Sequence, residues 1–281
     1  MEKIKIITGS QASISKELAE EYNISIIPYY LNYPNESLKE GVDIAPEAFY
    51  KQLADIDSLP STSPPSIADI QAVIDSLKPR YSHLILISLS SKYSNMHQSC
   101  KQVALSESKV HVVDSQGATG YQAMMALTAA QKVQEGKSFA EVIQFIEDFK
   151  DRSDEFLVFD TLKYLAKGGR IGRVKAMMGS LLSIKPVVVH RDGLTTPLTR
   201  VRTNPQGLSL MIDLIKKRVK EQPDGKLYVM IQGIDVDEWL SHVKDVLTKE
   251  FKITKLLHSR LSAITSIHTG PKTWSLTYSI L

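Results

Sequence analysis

The sequence predicts an α/β protein of two domains. A mostly parallel, Rossmann-like sheet comes first, and an α/β domain with a mixed or antiparallel sheet follows. Three observations carry this. Short apolar runs alternate with amphipathic stretches through residues 1–153, which favours parallel strands covered by helices on both faces. After that the rhythm changes, and Asp192 and Gly193 sit between two apolar runs as in an antiparallel hairpin. The chain of 281 residues exceeds the roughly 100–200 of a usual single domain. The boundary is expected near Asp154, dividing 1–153 from 154–281.

In order, residues 3–8 read as a strand, 13–21 as a helix and 24–33 as a second strand. Residues 45–54 and 66–77 have helical periodicity. The apolar runs 83–88 and 109–114 read as buried strands around a helix at 94–107, and 119–134 and 138–151 as two further helices. In the second half, 156–159 is a short strand, and 161–166 and 174–182 are helices around a glycine turn. The hairpin spans 184–190 and 194–201. Asn204 followed by Pro205 opens a long helix over 204–220. Strands at 227–232, 252–258, 263–268 and 274–280, with a helix at 236–250, complete the set.

The chain is 43% hydrophobic and 23% charged, which excludes a disordered chain. No uncharged apolar run reaches the roughly 18 residues of a membrane span, and no signal peptide is evident, so the expected compartment is the cytoplasm. Cys100 is the single cysteine, which excludes an internal disulfide and a multi-cysteine metal site. Net charge is +3 but uneven: residues 1–150 carry 13 Lys/Arg against 18 Asp/Glu, and the remainder is basic. Such a half suits an anionic ligand, an acidic partner or plain solvated surface.

Polar residues follow the first-half strands: Thr8, Gly9 and Ser10, then Ser88, Ser90, Ser91 and Ser94, then Asp114 and Ser115. Strand ends of an open α/β sheet are where ligands bind, and hydroxyls there can hold an anion or simply cap helices. Thr62 and Ser63 lie in a hydroxyl-rich loop stiffened by Pro64 and Pro65, with Ser66 as a helix cap. Gly168 and Gly169 form the densest glycine turn and carry Arg170, a side chain suited to carboxylate or phosphate. His268 ends an expected strand before Thr269, Gly270 and Pro271. Ile171, Met177, Met178 and Leu181 supply apolar side chains for either a pocket or ordinary core. The chain has no phosphate-binding loop, no dinucleotide turn and no G-x-S-x-G elbow.

Taken together, these segments resemble the DegV family of bacterial fatty-acid-binding proteins. The most specific match is residues 160–165 (DTLKYL) followed by 168–171 (GGRI). Residues 62–66 (TSPPS) are similar to its Thr-Ser-x-Pro-Ser loop, Ser94 to its key serine, and 268–271 (HTGP) to its closing His-x-Gly-Pro. The resemblance implies two α/β domains with a long-chain fatty acid buried between them and no other cofactor. It implies a carboxylate held by Thr62, Ser63, Ser94, Arg170 and His268. It further implies an ATP-dependent fatty acid kinase subunit as partner, docking at Arg202, that makes the acyl-phosphate for phospholipid synthesis. The chain itself would be a carrier, with no nucleic acid and no stable membrane span among its partners.

The sequence departs from the family pattern at five places. Gly9 stands for an acid, Asn95, Met96 and His97 for Gly-Thr-Tyr, and Lys272 for a glycine. Two rival functions follow from the residues alone. One is a Ser/His acyl hydrolase pairing Ser94 or Ser63 with His268. The other is a regulatory binding module without kinase coupling, responsive to lipid or acting on DNA through the basic half.

Overall fold

The computed structural model describes residues 2–178 and 184–281. The first half runs β1 (Ile4–Gly9), α1 (Lys16–Glu21), β2 (Ile24–Ile27), β3 (Tyr30–Asn32), β4 (Ser37–Lys39), α2 (Pro46–Tyr50), β5 (Ser61–Ser63), α3 (Ile67–Leu77), β6 (His83–Ser88), α4 (Met96–Ala104), β7 (Val110–Asp114), α5 (Thr119–Gln134) and α6 (Phe139–Arg152). The second runs β8 (Ser153–Val158), α7 (Lys163–Lys167), β9 (Lys185–Arg191), β10 (Leu194–Val201), α8 (Asn204–Glu221), β11 (Leu227–Gly233), α9 (Asp237–Glu250), β12 (Ile253–Arg260), α10 (Ala263–Thr269) and β13 (Trp274–Ile280).

The first half holds a parallel sheet in the order β2-β1-β6-β7. Every residue of β1 is buried, as in a strand covered on both faces. The second half holds a six-stranded mixed sheet in the order β10-β9-β8-β13-β11-β12, antiparallel except between β11 and β12. β4, β3 and β5 form a small antiparallel sheet beside the first.

α5 joins the two halves. Twelve consecutive residues, Thr119 to Ala130, are buried. Its alanines and methionines pack with Ile6, Ile85 and Ile87 of the parallel sheet and with Tyr228, Met230 and Leu257 of the mixed sheet. A helix buried all round has no polar face, which is why its sequence shows little amphipathic contrast.

Four expectations need correction. The single strand expected at 24–33 is two strands in different sheets, because Pro28 cannot donate to a ladder and the chain leaves the parallel sheet there. The strand expected at 263–268 is α10. Its β-branched residues favour a strand locally, but Ser262 accepts from the Thr265 amide at 3.1 Å and buried Glu40 accepts from the Ile264 amide at 3.2 Å. The helix expected at 174–182 is a 3-10 turn over Gly172–Met177, and its later part lies outside the described residues. α8 is capped by Thr203 rather than Asn204.

Among the described residues no helix is long and apolar enough to cross a membrane, and no group of three or more His, Cys, Asp or Glu could hold a metal.

The two halves are tied by Glu155 of β8, which is fully buried. It accepts from Thr119 Oγ1 at 2.6 Å, from the Gly120 and Tyr121 amides at 3.0 and 3.3 Å, and pairs with His190 Nε2 at 3.0 Å. The first three donors belong to the opening turn of α5, where the helix dipole favours negative charge. Replacing Glu155 by Leu strands all four. Urea unfolding of Glu155→Leu is expected to show a loss of about 3–5 kcal/mol. A loss under about 1 kcal/mol would mean that the tie contributes little.

Candidate functional site

A cavity opens between the carboxyl ends of the parallel strands and the face of the mixed sheet. It encloses about 720 Å³ of empty space, part of it open to solvent. Leu89, Leu157, Phe159, Leu165 and Ile264 supply apolar wall. Thr62, Ser94, Arg170 and His268, four of the five residues expected at an anion, line the same cavity.

Each is positioned by a local device. Thr62 sits in mid-strand β5, paired with Leu31 of β3. Its Oγ1 lies 2.9 Å from His268 Nε2, across 206 residues of sequence. His268 lies in the last turn of α10, not at the end of the expected strand, and packs against Gly168. A Cβ at Gly168 would lie 2.2 Å from His268 Nδ1, so only glycine allows this approach. The left-handed turn that stops α7 is taken by Gly169, with φ +71°, rather than by Gly168. Arg170 then reaches back: Nη1 donates to the Gly168 carbonyl at 2.6 Å and Nε to the Tyr93 carbonyl at 3.2 Å. Both acceptors are neutral, so no carboxylate among the described residues neutralises this guanidinium. Ser94 Oγ accepts from the Met96 amide at 3.2 Å and lies 3.3 Å from the Tyr29 hydroxyl.

The remaining expected residues are placed differently. Alternation along β5 turns Ser63 away from Thr62, and its Oγ accepts from Asn32 Nδ2 at 3.1 Å. Ile171 and Met177 pack behind Leu157, Phe159 and Leu165. Met178 is exposed, Leu181 lies outside the described residues, and Arg202 is exposed at the entry to α8. Neither Ser94 nor Ser63 touches His268; the hydroxyl on that imidazole is Thr62's.

Several cavity residues escaped the sequence reading. Tyr93 is hydrogen-bonded to His190 Nδ1 at 2.9 Å and accepts from Thr195 Oγ1 at 3.0 Å, continuing the line from Glu155 into the wall. The available signal was weak: Glu155 is one of two adjacent acids, Asp154 and Glu155, before the apolar run 156–159. Two of the departures from the family pattern, Met96 and His97, have partners. Met96 Sδ accepts from the Tyr29 hydroxyl at 3.1 Å, and His97 Nδ1 lies 2.9 Å from Ser88 Oγ. Asn95 caps α4 without a side-chain bond. Lys272 takes a left-handed φ of +57°, a conformation that glycine adopts without strain. At Gly9, a Cβ would lie 2.1 Å from Gln11 Oε1, so the glutamine fills the place of an acid.

Burial, and then the charge of Arg170, push the His268 imidazole down to about 4 from an ordinary 6.5. It is therefore neutral at pH 7, with Nδ1 buried and without a partner among the described residues. The cluster offers hydroxyls, a neutral imidazole and one cation: a set that can hold a carboxylate or a similar anion. The folded state binds the His268 proton more weakly than the unfolded chain, so the stability this site contributes is complete above about pH 6.5 and is lost as pH falls towards 4. Urea unfolding of the parent and His268→Gln across that range should show their difference shrinking with falling pH, by at most about 1.4 kcal/mol per pH unit. A difference independent of pH would contradict a neutral, buried His268.

The DegV family model matches residues 3–280. A DegV domain-containing protein of Caldanaerobacter subterraneus is 30% identical over 276 residues, covering 96% of each chain. Another from Clostridium perfringens is 31% identical over 276 residues, again covering 96% of each. A solved DegV family protein from Thermus thermophilus, described by its fatty acid binding, superposes with a TM-score of 0.91 at 25% identity, covering 99% of this chain and all of that one. DegV of Bacillus subtilis, described as a fatty acid binding protein, shares the fold with a TM-score of 0.89 at 24% identity and full coverage of both chains. The match of the family model along nearly the whole chain, together with relatives at this identity, establishes that the chain belongs to the DegV family.

Proposed function

We propose that the protein binds a long-chain fatty acid in this cavity, between domains at 1–153 and 154–281, and presents its carboxylate to an ATP-dependent fatty acid kinase. One observation carries the reading. Arg170 keeps an unneutralised charge beside the Thr62–His268 pair, and the wall next to it is apolar. A carboxylate would be costly to bury without such partners. Arg170 supplies charge-assisted donors, and Thr62 and Ser94 supply hydroxyls. His268, being neutral, can give its Nε2 proton to Thr62 Oγ1, which leaves the Thr62 hydroxyl proton for the carboxylate and adds no second buried charge. Ser63 acts through Asn32, fixing β5 so that Thr62 faces the cavity. A chain of about 15 methylenes gains on the order of 12 kcal/mol gross on leaving water, much of it offset by the costs of association. Ile171 and Met177 back the apolar wall.

The protein would hold the acyl group while the partner supplies nucleotide chemistry. The family resemblance supports this division. The likeness to the Thermus thermophilus protein supports the lipid itself.

Denatured extracts of protein purified from a bacterial host should release a fatty acid in near-stoichiometric amount. Thr62→Ala and Ser94→Ala should each weaken binding about 10- to 150-fold, the worth of one hydrogen bond to a charged group. If both variants bind like the parent, the carboxylate lies elsewhere.

Arg202 tests the coupling. It is exposed, and its backbone amide donates to Gln206 Oε1 at 2.9 Å, which fixes the turn into α8 independently of the guanidinium. Arg202→Ala should therefore abolish acyl-phosphate formation with a cognate kinase and leave fatty acid affinity and melting temperature near the parent's. Intact coupling in that variant would remove Arg202 from the docking surface.

A further inference from the structure

The cavity wall carries a hydrogen-bond acceptor that the described protein leaves unmet. It is the side-chain oxygen of Gln11, in the short turn Ser10–Ala12 after β1. Gln11 is 3% exposed, lines the cavity, and its Oε1 is buried without a partner among the described residues. Its neighbours fix which end of the amide this is. Gln122 Nε2 donates to the Ile87 carbonyl at 3.1 Å and to Thr8 Oγ1 at 2.8 Å, while Thr8 donates its own proton to the same carbonyl at 2.8 Å. A carbonyl only accepts, so the nitrogen of Gln122 must face it. That turns Gln122 Oε1 to Gln11, whose Nε2 donates to it at 2.9 Å. The free end of Gln11 is then its oxygen, which can accept a proton but never give one.

A second unmet atom lies on the same wall. Thr269 Oγ1, at the end of α10, belongs to a residue 5% exposed and has no partner among the described residues. Buried polar groups in native proteins are nearly always paired, so these two and His268 Nδ1, three on one cavity wall, call for polar groups from the ligand; Thr269 can donate to a carboxylate, but Gln11 Oε1 needs a donor. A plain hydrocarbon chain has none to give, and an ionised carboxylate has no proton to donate. Resting on the fatty acid reading above, we infer that the preferred ligand is a hydroxylated long-chain fatty acid whose chain hydroxyl donates to Gln11 Oε1. The hydroxyl belongs on the carboxyl-proximal part of the chain. Gln11 Oε1 and the Tyr29 ring flank the same point beside Gly9, and the Tyr29 hydroxyl reaches Ser94. Thr269 offers a second polar contact on that wall.

The test is competition for delipidated protein, read by native mass spectrometry, between octadecanoate and its 2-hydroxy, 3-hydroxy and 12-hydroxy derivatives. The 2-hydroxy or 3-hydroxy acid should out-compete octadecanoate about tenfold, as one added hydrogen bond to a buried acceptor predicts. In Gln11→Met and in Thr269→Val that ratio should fall towards one. Thr269→Val is nearly isosteric and keeps the test open if Gln11→Met, having lost its brace on Gln122, fails to fold. A preference for octadecanoate, a preference for the 12-hydroxy acid alone, or folded variants that both keep the parent's ratio would each overturn the assignment. Failure of every acid to bind, octadecanoate included, would instead sink the fatty acid reading itself.

Discussion

A single buried carboxylate sets how the two sheets meet. Glu155 belongs to the mixed sheet, yet three of its four hydrogen-bond partners open α5, the helix that packs on the parallel sheet. A fully buried charge tolerates little drift, because each lost donor leaves it undersolvated. The fourth partner, His190, passes the constraint outward to Tyr93 and Thr195 on the cavity wall. Tyr93 in turn offers its carbonyl to Arg170. The charge that would meet a ligand is thus held, through His190 and Tyr93, by the contact that holds the two halves together.

α10 applies the same logic from the other side. Glu40 and Ser262 satisfy its first amides, while its last turn delivers His268 to Thr62. Burial pushes the Glu40 carboxyl above its ordinary range, offset in part by Ser10 and the amides it accepts from. Between these ends, Thr265 bonds the Gln11 carbonyl and so anchors the turn that carries the unmet acceptor. A short helix of strand-like residues holds here because both its ends are fastened by tertiary partners.

Two of the departures from the family pattern, at Gly9 and Met96, are compensated by neighbours of the cavity residues Gln11 and Tyr29. Gln11 occupies the space that an acid at position 9 would claim. Met96 gives its sulfur to the Tyr29 hydroxyl, which keeps that ring beside Ser94. Both exchanges lie behind the wall, and Thr62, Ser94, Arg170 and His268 line the cavity itself.

The sequence by itself determined the alternation of strands and helices, the hairpin at Asp192 and Gly193, and the family motifs, because each depends on spacing within a few residues. The family resemblance also grouped five residues at a carboxylate, and four of them line one cavity. Tertiary structure decided the rest. The strand expected at 263–268 became a helix because Glu40, more than 200 residues earlier, caps it. The pairing of Thr62 with His268, the reach of Arg170 to Tyr93 and the line from Glu155 to Thr195 all join segments far apart in the chain. Periodicity reports what a residue's near neighbours bury. Which distant donor meets which acceptor depends on how the sheets are brought together, and that is fixed only when the core closes around α5.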